Sequence, residues 1–256
     1  MIIFMSNVGI IGGSGFYGIE GEYIGRVDTP WGQSGDVVLQ QKRETSIYFL
    51  ARHGKGHTVP PHLINYRANI YALKKLGVTH ILATNAVGSC RESMKPGDFV
   101  IPDNILDFTS GRDQTFYEGA QAGDVPEEFK KVKHTDVTFP FHEETRDLLM
   151  KTLERRSIPY HNKGVLAAAN GPRYETSAEV KMARQLGGDI LGMTSAPEVF
   201  LARELGIKYA TIAVVTNFGA GMQSNVSHDE VVEIFGQKIE LVKKIIIDCA
   251  VSIYDL

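Results

Sequence analysis

Short apolar runs rich in Val, Ile and Ala recur along the chain, and stretches with helical periodicity lie between them. This alternation is typical of an α/β domain whose sheet is largely buried. The pattern predicts strands over 8–11, 36–40, 46–51, 80–85, 98–107, 163–170, 190–193 and 209–215. It predicts helices over 66–76, 143–155, 177–186, 197–205 and 228–252.

The last predicted helix has the clearest pattern, because its apolar residues recur with a period near 3.6 residues. Two other helices end at Gly77 and Gly206, each followed by a strand, as is common at helix C-termini. The segment 111–136 is polar and lacks periodicity, so we predict a long loop or lid there. No repeat or domain boundary interrupts the pattern, which predicts one domain over residues 1–256.

Composition and charge narrow the range of partners. The formal net charge is −3, so the chain lacks the basic footprint that binding to a nucleic-acid backbone requires, and no nucleic-acid partner is expected. The two cysteines match neither a zinc cluster nor a disulfide framework, which favours a reducing, cytoplasmic environment. No apolar run approaches the roughly 18 to 20 residues that span a bilayer, so no membrane partner is expected.

A glycine-rich segment, Gly13-Ser-Gly15-Phe-Tyr-Gly18, follows the first predicted strand and matches the dinucleotide-binding pattern G-x-G-x-x-G. Such a site also needs a helix whose N-terminus receives the pyrophosphate. Residues 19–27 contain further glycines and have the character of a strand, so we discount a dinucleotide cofactor. Two interpretations of the segment remain. It forms a tight turn, or it forms a nest for one phosphate from backbone N–H groups and the Ser14 hydroxyl, and the nest fits the sequence better.

Polar side chains follow several predicted strands, at the end of the sheet where open α/β folds bind ligands. Arg52 and His53 come directly after the strand over 46–51, and arginine offers a planar fork for an oxyanion. Asn85 ends the next strand, and Thr194 follows a later one. Each cluster alone is also compatible with an ordinary turn or surface loop.

Two further segments, 171–176 and 216–219, carry polar groups suited to a heterocycle. They contain Tyr174, Glu175 and Asn217, and each follows an apolar strand. Either segment is also compatible with a solvated loop. Because both belong to the same end of the predicted sheet as the anion-binding clusters, one shared crevice is the simpler account.

Six segments resemble, in order along the chain, the motifs of the trimeric purine nucleoside phosphorylase and methylthioadenosine phosphorylase family. They are IIGGSGF, ARHGKGHTVPPHLINYRAN, TNAVGS, GPRYETSAE, GMTSAPEVFLARELGI and VVTNFGAG. The resemblance covers nearly the whole chain. It implies a three-layer α/β/α fold with a central mixed, strongly twisted β-sheet. The implied reaction is phosphorolysis, in which inorganic phosphate displaces a purine from a nucleoside to give the free base and ribose 1-phosphate, with phosphate as co-substrate and no other cofactor.

The resemblance also implies roles for individual residues. The implied phosphate ligands are Ser14, Arg52, His53, Ala86 and Thr194, whose hydroxyl, guanidinium, imidazole and backbone N–H groups suit a tetrahedral dianion. The implied nucleoside contacts are Asn85, Tyr66, Tyr174, Glu175, Met193, Asn217 and His228, with Met193 as an apolar floor beneath the ribose. The implied catalytic residues are His53, Glu175 and Asn217, and Asn217 would donate to N7 or O6 as the purine departs.

Glu175 and Asn217, the residues expected to face the base, predict that the base is a 6-oxopurine. Such a base presents an N1–H donor and an O6 acceptor, so Glu175 as acceptor and Asn217 as donor match hypoxanthine or guanine. Methylthioadenosine phosphorylases have Ser and Asp at these two positions. Because unpaired buried polar groups cost about 1 to 3 kcal/mol each, two mismatches would disfavour adenine. Inosine and guanosine are the expected substrates.

The group at the 5′ position of the sugar is less constrained. His228 matches a position where purine nucleoside phosphorylases place a histidine against the 5′-hydroxyl, whereas methylthio-specific relatives have an apolar residue. In contrast, the segments NYRANIYALKKLG and DFTSGRDQTFY look closer to methylthioinosine phosphorylases. Methylthioinosine, or methylthioadenosine, is therefore the alternative substrate.

His134 matches a residue that reaches into the neighbouring subunit's site in trimeric relatives. A homotrimer, or a dimer of trimers, is therefore expected. Two rival classes of function are an NAD-dependent oxidoreductase built on the glycine-rich segment and a purine-binding protein without catalysis.

Overall fold

The computed structural model describes residues 6–13, 19–224 and 227–255, apart from the side chains at 228, 230 and 255. These residues form ten strands and five α-helices. The strands are β1 (Ser6–Gly12), β2 (Glu22–Thr29), β3 (Gly32–Lys42), β4 (Thr45–Ala51), β5 (His80–Ser89), β6 (Phe99–Val100), β7 (Asn104–Asp107), β8 (Val165–Ala168), β9 (Ile190–Gly192) and β10 (Lys208–Phe218). The helices are α1 (Tyr66–Lys75), α2 (Glu143–Arg155), α3 (Ser177–Gln185), α4 (Ser195–Glu204) and α5 (His228–Ser252).

All ten strands belong to one mixed sheet. Its centre is parallel, since β4 pairs with β1, β1 with β5, and β5 with β10, all in the same direction. On one side β3 and β2 continue the sheet in antiparallel pairs. On the other side β9 pairs antiparallel with β5, and β8 and β7 follow in parallel. The large mixed sheet confirms the predicted α/β fold class.

Helices cover both faces of the sheet. Successive residues of a strand point to opposite faces, so β1 contributes to two hydrophobic layers. Ile10 packs in a cluster with Leu149 of α2 and Val242 of α5. Ile11 packs in another cluster with Leu201 of α4 and with residues of α1. The three layers implied by the family resemblance are therefore present.

Apart from shifts of strand ends, the structure differs from the predicted strands in two respects. β2 overlaps residues 19–27, which have the character of a strand, but it was not among the predicted strands because most of its residues are exposed at the edge of the sheet and form no apolar run. The predicted strand over 98–107 is divided into β6 and β7. The division arises because β6 pairs with β10 whereas β7 pairs with β8, so the chain crosses between partners at 101–103.

The connections agree with two further predictions. No helix follows the glycine-rich segment in the described residues, where 19–21 lead directly into β2. The segment 111–136 contains only a short 3-10 helix at Glu127–Phe129, as expected of a long loop. Along the described ranges, none of the helices combines the length and the apolar character needed to cross a bilayer.

Candidate active site

The carboxyl ends of β4, β5 and β10, together with the residues that follow β9, converge on one cavity of about 330 Å³. Parallel pairing of β5 with β10 places their polar ends side by side. Many of the predicted site residues line this cavity, which confirms that the separate strand-end clusters share one crevice. They are Arg52, His53, Asn85, Ala86, Tyr174, Glu175, Met193, Thr194 and Asn217.

Two predicted site residues, Tyr66 and His134, do not line the cavity. Tyr66 is buried behind Pro61, whose carbonyl accepts a 2.8 Å hydrogen bond from the Tyr66 hydroxyl, and it is Pro61 that lines the cavity. His134 is exposed on the loop over 111–136 and does not line the cavity of its own chain. Ser14 and the side chain of His228 lie outside the described residues.

Arg52 is held in place by a buried carboxylate that the sequence did not reveal. Its Nε and Nη2 donate to the two oxygens of Glu198 at 3.0 and 2.7 Å. Its Nη1 donates to the carbonyl of Thr84 and to the Thr194 hydroxyl, at 2.9 and 3.0 Å. Burial has the largest single effect and opposes the charge on Arg52, but the Glu198 carboxylate together with Tyr209 and Tyr66 outweighs it, and the pKa of Arg52 is raised. These bonds use four of the five N–H donors of arginine and fix the orientation of its fork.

A network of side chains also fixes Thr194. Its hydroxyl oxygen accepts from Nη1 of Arg52 and from Nδ2 of Asn85, both at 3.0 Å. The amide oxygen of Asn85 in turn accepts from the hydroxyls of Thr211 and Ser195, at 2.6 and 3.3 Å. In this orientation of its amide, Asn85 acts on the cavity through Thr194 as well as by lining it.

His53 is neutral at physiological pH. Burial, reinforced by the nearby charge of Arg52, lowers the pKa of His53 to about 4. Its Nδ1 lies 2.8 Å from the carbonyl oxygen of Val59, which can only accept, so Nδ1 carries the hydrogen. The ring of His57 stacks on that of His53 with centroids 4.2 Å apart. These contacts fix both the position and the tautomer of His53.

Glu175 and Asn217 supply the groups suited to a purine. The amide oxygen of Asn217 accepts from the Thr216 hydroxyl at 2.9 Å, and Nδ2 donates one hydrogen to the carbonyl of Phe218 at 2.9 Å. A register shift between Val215 and Asn217 interrupts the pairing of β10 with β5, and such shifts re-aim side chains. Burial raises the pKa of the Glu175 carboxyl.

Arg112 holds the backbone behind the cavity in place, and it was not identified from the sequence. Its Nη1 donates to the carbonyls of Met193 and Ala196, and its Nη2 to that of Asn170, each at 2.7 Å. The guanidinium also lies over the ring of Tyr66, 5.2 Å from its centroid. Arg112 therefore ties three segments behind the cavity together. It lies in a polar loop without periodicity, where no local signal marks it.

The polar groups that the cavity presents are hydroxyls, amides, a guanidinium, two imidazoles and a carboxyl. Within the described part of the chain, no group of three or more His, Cys, Asp or Glu residues is placed to hold a metal ion. Cys90 and Cys249 are both buried with free thiols.

Comparison with known families agrees with this geometry. The phosphorylase superfamily matches residues 7–250. The chain belongs to the phosphorylase superfamily. A superfamily member from Pyrococcus furiosus, a 6-oxopurine nucleoside phosphorylase, is 48% identical over 246 residues, which are 95% of this chain and 91% of the relative.

Members with another named activity are also similar. An S-methyl-5′-thioadenosine phosphorylase from P. furiosus is 42% identical over 244 residues, which are 94% of this chain and 91% of the relative. The solved structure of methylthioadenosine phosphorylase from Schistosoma mansoni in complex with tubercidin superimposes with a TM-score of 0.87 at 38% identity. That superposition covers 98% of this chain and 93% of the other. The family predicted from the six sequence motifs is confirmed.

Proposed function

We propose that this phosphorylase cleaves 6-oxopurine nucleosides, inosine and guanosine, with inorganic phosphate to give the free base and ribose 1-phosphate. It is then a pentosyltransferase with phosphate as its co-substrate. The observation that carries the proposal is that one cavity is lined both by the anion-binding groups around Arg52 and by the base-binding pair Glu175 and Asn217. Such a cavity can hold the nucleophile and the leaving group of one reaction together.

The phosphate end of the cavity has the chemistry of an oxyanion site. Arg52 and Thr194 present a guanidinium and a hydroxyl that their own hydrogen bonds hold in position. The C–N bond of a nucleoside breaks through a state in which the sugar carries positive charge, and a phosphate fixed at this end stabilises that charge. Fixed groups need no rearrangement during the reaction, which is the main advantage of a preorganised site. Met193, which also lines the cavity, is the proposed floor beneath the ribose.

The base end favours a 6-oxopurine. Glu175 as a carboxylate accepts from N1–H, and the second hydrogen of Asn217 Nδ2 is available to O6 or N7, because the first is bound to Phe218. Negative charge gathers on the purine as it departs, and a donor at N7 or O6 stabilises it. Sequence identity also favours a 6-oxopurine, because the chain is 48% identical to the P. furiosus 6-oxopurine nucleoside phosphorylase and 42% identical to the P. furiosus S-methyl-5′-thioadenosine phosphorylase.

Phosphorolysis of methylthioinosine is the second candidate activity. Val231, one turn along α5 from His228, lines the cavity and gives it an apolar side chain that a methylthio group would contact. A histidine at 228 favours a 5′-hydroxyl instead. The two candidates share the base and the phosphate and differ only at the 5′ position.

A substrate panel tests the proposal. With phosphate present, kcat/KM for inosine or guanosine is expected to exceed that for adenosine by about 10- to 100-fold, because adenine mismatches both base-facing groups. The panel also includes methylthioinosine and methylthioadenosine. Preference for adenosine or methylthioadenosine would overturn the assignment of Glu175 and Asn217. Absence of turnover with every nucleoside would leave a purine-binding protein.

The activity on inosine is expected to fall at acid pH through Glu175. Protonation removes the charge of the carboxylate and leaves one neutral carbonyl oxygen as the acceptor for N1–H, so binding is strongest above the pKa of Glu175 and weakens below it. Because burial raises that pKa, the loss begins at a higher pH than for an exposed glutamate. The measurement is the pH profile of kcat/KM for inosine. In Glu175→Gln the activity is lower but this acid limb disappears, and its persistence there would assign the limb to another group.

We also propose a cytoplasmic homotrimer. Exposure of His134, away from its own chain's cavity, leaves it available to a neighbouring copy. Two buried cysteines with free thiols suit a reducing compartment. Sedimentation equilibrium of the purified chain measures the subunit number, and a monomer would overturn the proposed trimer.

A further inference from the structure

At the proposed phosphate site, the hydrogen bonds of Thr194 within the protein decide whether it donates to a ligand or accepts from it. A hydroxyl has two lone pairs and one hydrogen. Both lone pairs of Thr194 are used, because its oxygen accepts from Arg52 and from Asn85 at 3.0 Å. Toward a ligand, Thr194 can therefore act only as a donor. Arg52 has no acceptor and is likewise a donor.

His53 has the opposite polarity. The carbonyl of Val59 lies 2.8 Å from Nδ1 and requires the ring hydrogen there. A neutral imidazole has one N–H, so Nε2 carries a lone pair and is an acceptor. Burial and the neighbouring Arg52 keep the pKa of His53 at about 4, and the ring is neutral near pH 7. Among Arg52, Thr194 and His53, which all line the cavity, two side chains are thus fixed donors and His53 is the acceptor.

We propose that His53 makes the site selective for an oxyanion that carries a hydrogen, with Nε2 accepting the P–OH hydrogen of monohydrogen phosphate. Sulfate has the same tetrahedral shape and charge near neutral pH but no hydrogen. Against sulfate, the Nε2 lone pair faces an oxygen lone pair, and neither atom finds a partner. The inference rests on the proposed function, since it concerns the phosphate of that reaction, and it makes His53 the residue that determines which anion the enzyme accepts.

Calorimetric titration of the purified protein with phosphate and, separately, with sulfate at neutral pH tests the inference without any nucleoside. Phosphate is expected to bind about 10- to 100-fold more tightly than sulfate, the effect of one unpaired buried polar group. Arsenate, which carries the same hydrogen at this pH, is expected to resemble phosphate. Equal affinity for phosphate and sulfate in the natural protein would overturn the proposal.

Two variants locate the selectivity. In His53→Ala the acceptor is gone, and the ratio of sulfate to phosphate dissociation constants is expected to fall to about threefold or less. If the fold does not tolerate alanine at this position, His53→Gln keeps a polar side chain there. Its amide can turn a donor toward sulfate, so the ratio of sulfate to phosphate dissociation constants is expected to fall in this variant as well. An unchanged ratio in the folded variants would overturn the role of His53. The matched control is His62→Ala, an exposed histidine on the neighbouring 3-10 helix Pro61–Leu63, for which the natural ratio is expected.

A parallel assay separates this inference from the proposed function. Each protein preparation is tested for phosphate-dependent release of hypoxanthine from inosine. Turnover together with equal binding of sulfate and phosphate removes only the role of His53. Absence of both turnover and phosphate binding removes the proposed function itself.

Discussion

The variant Glu198→Gln is expected to have a free energy of unfolding about 3 to 5 kcal/mol lower than the natural protein. Glu198 is 1% exposed and is bound through both carboxylate oxygens to Arg52. Glutamine keeps the length and shape of the side chain but removes its charge. The guanidinium, also buried, is then left without a counter-ion, and an uncompensated buried charge is among the largest destabilising changes in a protein. Chemical denaturation measures the difference.

The same variant is expected to raise KM for phosphate about tenfold or more while KM for inosine changes little. The reason is that Glu198 orients the fork of Arg52 and has no contact with the base-facing pair. The matched control is Glu240→Gln, which breaks an exposed pair with Lys243 on α5 and is expected to change neither stability nor KM. If Glu198→Gln unfolds at the same denaturant concentration as the natural protein, the buried ion pair does not stabilise Arg52.

The variant Asn217→Asp is expected to lower kcat/KM for inosine about 100- to 1000-fold, the size of effect found when one preorganised donor is removed from an active site. A carboxylate can only accept, so it opposes O6 and N7 of a 6-oxopurine and repels the negative charge on the departing base. Thr216 can still donate to the new side chain, whereas the bond from Nδ2 to the carbonyl of Phe218 is lost. Adenosine has an amino donor at the same place, and its kcat/KM is expected to rise. Steady-state kinetics with both nucleosides measure the change in preference.

Asn217→Ala separates loss of the donor from gain of an acceptor. It is expected to lower the activity on inosine without raising the activity on adenosine, because alanine offers neither group. An equal loss for both nucleosides in Asn217→Asp would show that position 217 does not distinguish the purines.

The central strands were predictable because burial on both faces makes their sequences continuous apolar runs. β10, for example, is buried over most of its length. β2 was not predictable in the same way, because an edge strand that is exposed on most positions leaves no hydrophobic pattern. The division of 98–107 into β6 and β7 depends on which strands they pair with, and pairing partners are not encoded locally.

The same physical reason limits what the sequence shows of the site. Arg52, His53 and Thr194 were found because each follows an apolar strand. Glu198 gave no signal, since an acidic residue in the first turn of a helix is common and suits the helix dipole. Its partner Arg52 lies 146 positions away in the sequence. A contact of that range exists only in the folded structure.

The proposed phosphate site has a thermodynamic consequence. Thr194, at the start of α4, bonds to Arg52 after β4 and to Asn85 in β5, across 142 and 109 positions of sequence. Because an unfolded chain cannot assemble these groups, we expect phosphate to bind the folded state alone and to shift the folding equilibrium by mass action. At a concentration 100 times its dissociation constant, such a ligand adds about 2.7 kcal/mol. Under the proposed function, the substrate phosphate is therefore also expected to stabilise the folded state of the enzyme that consumes it.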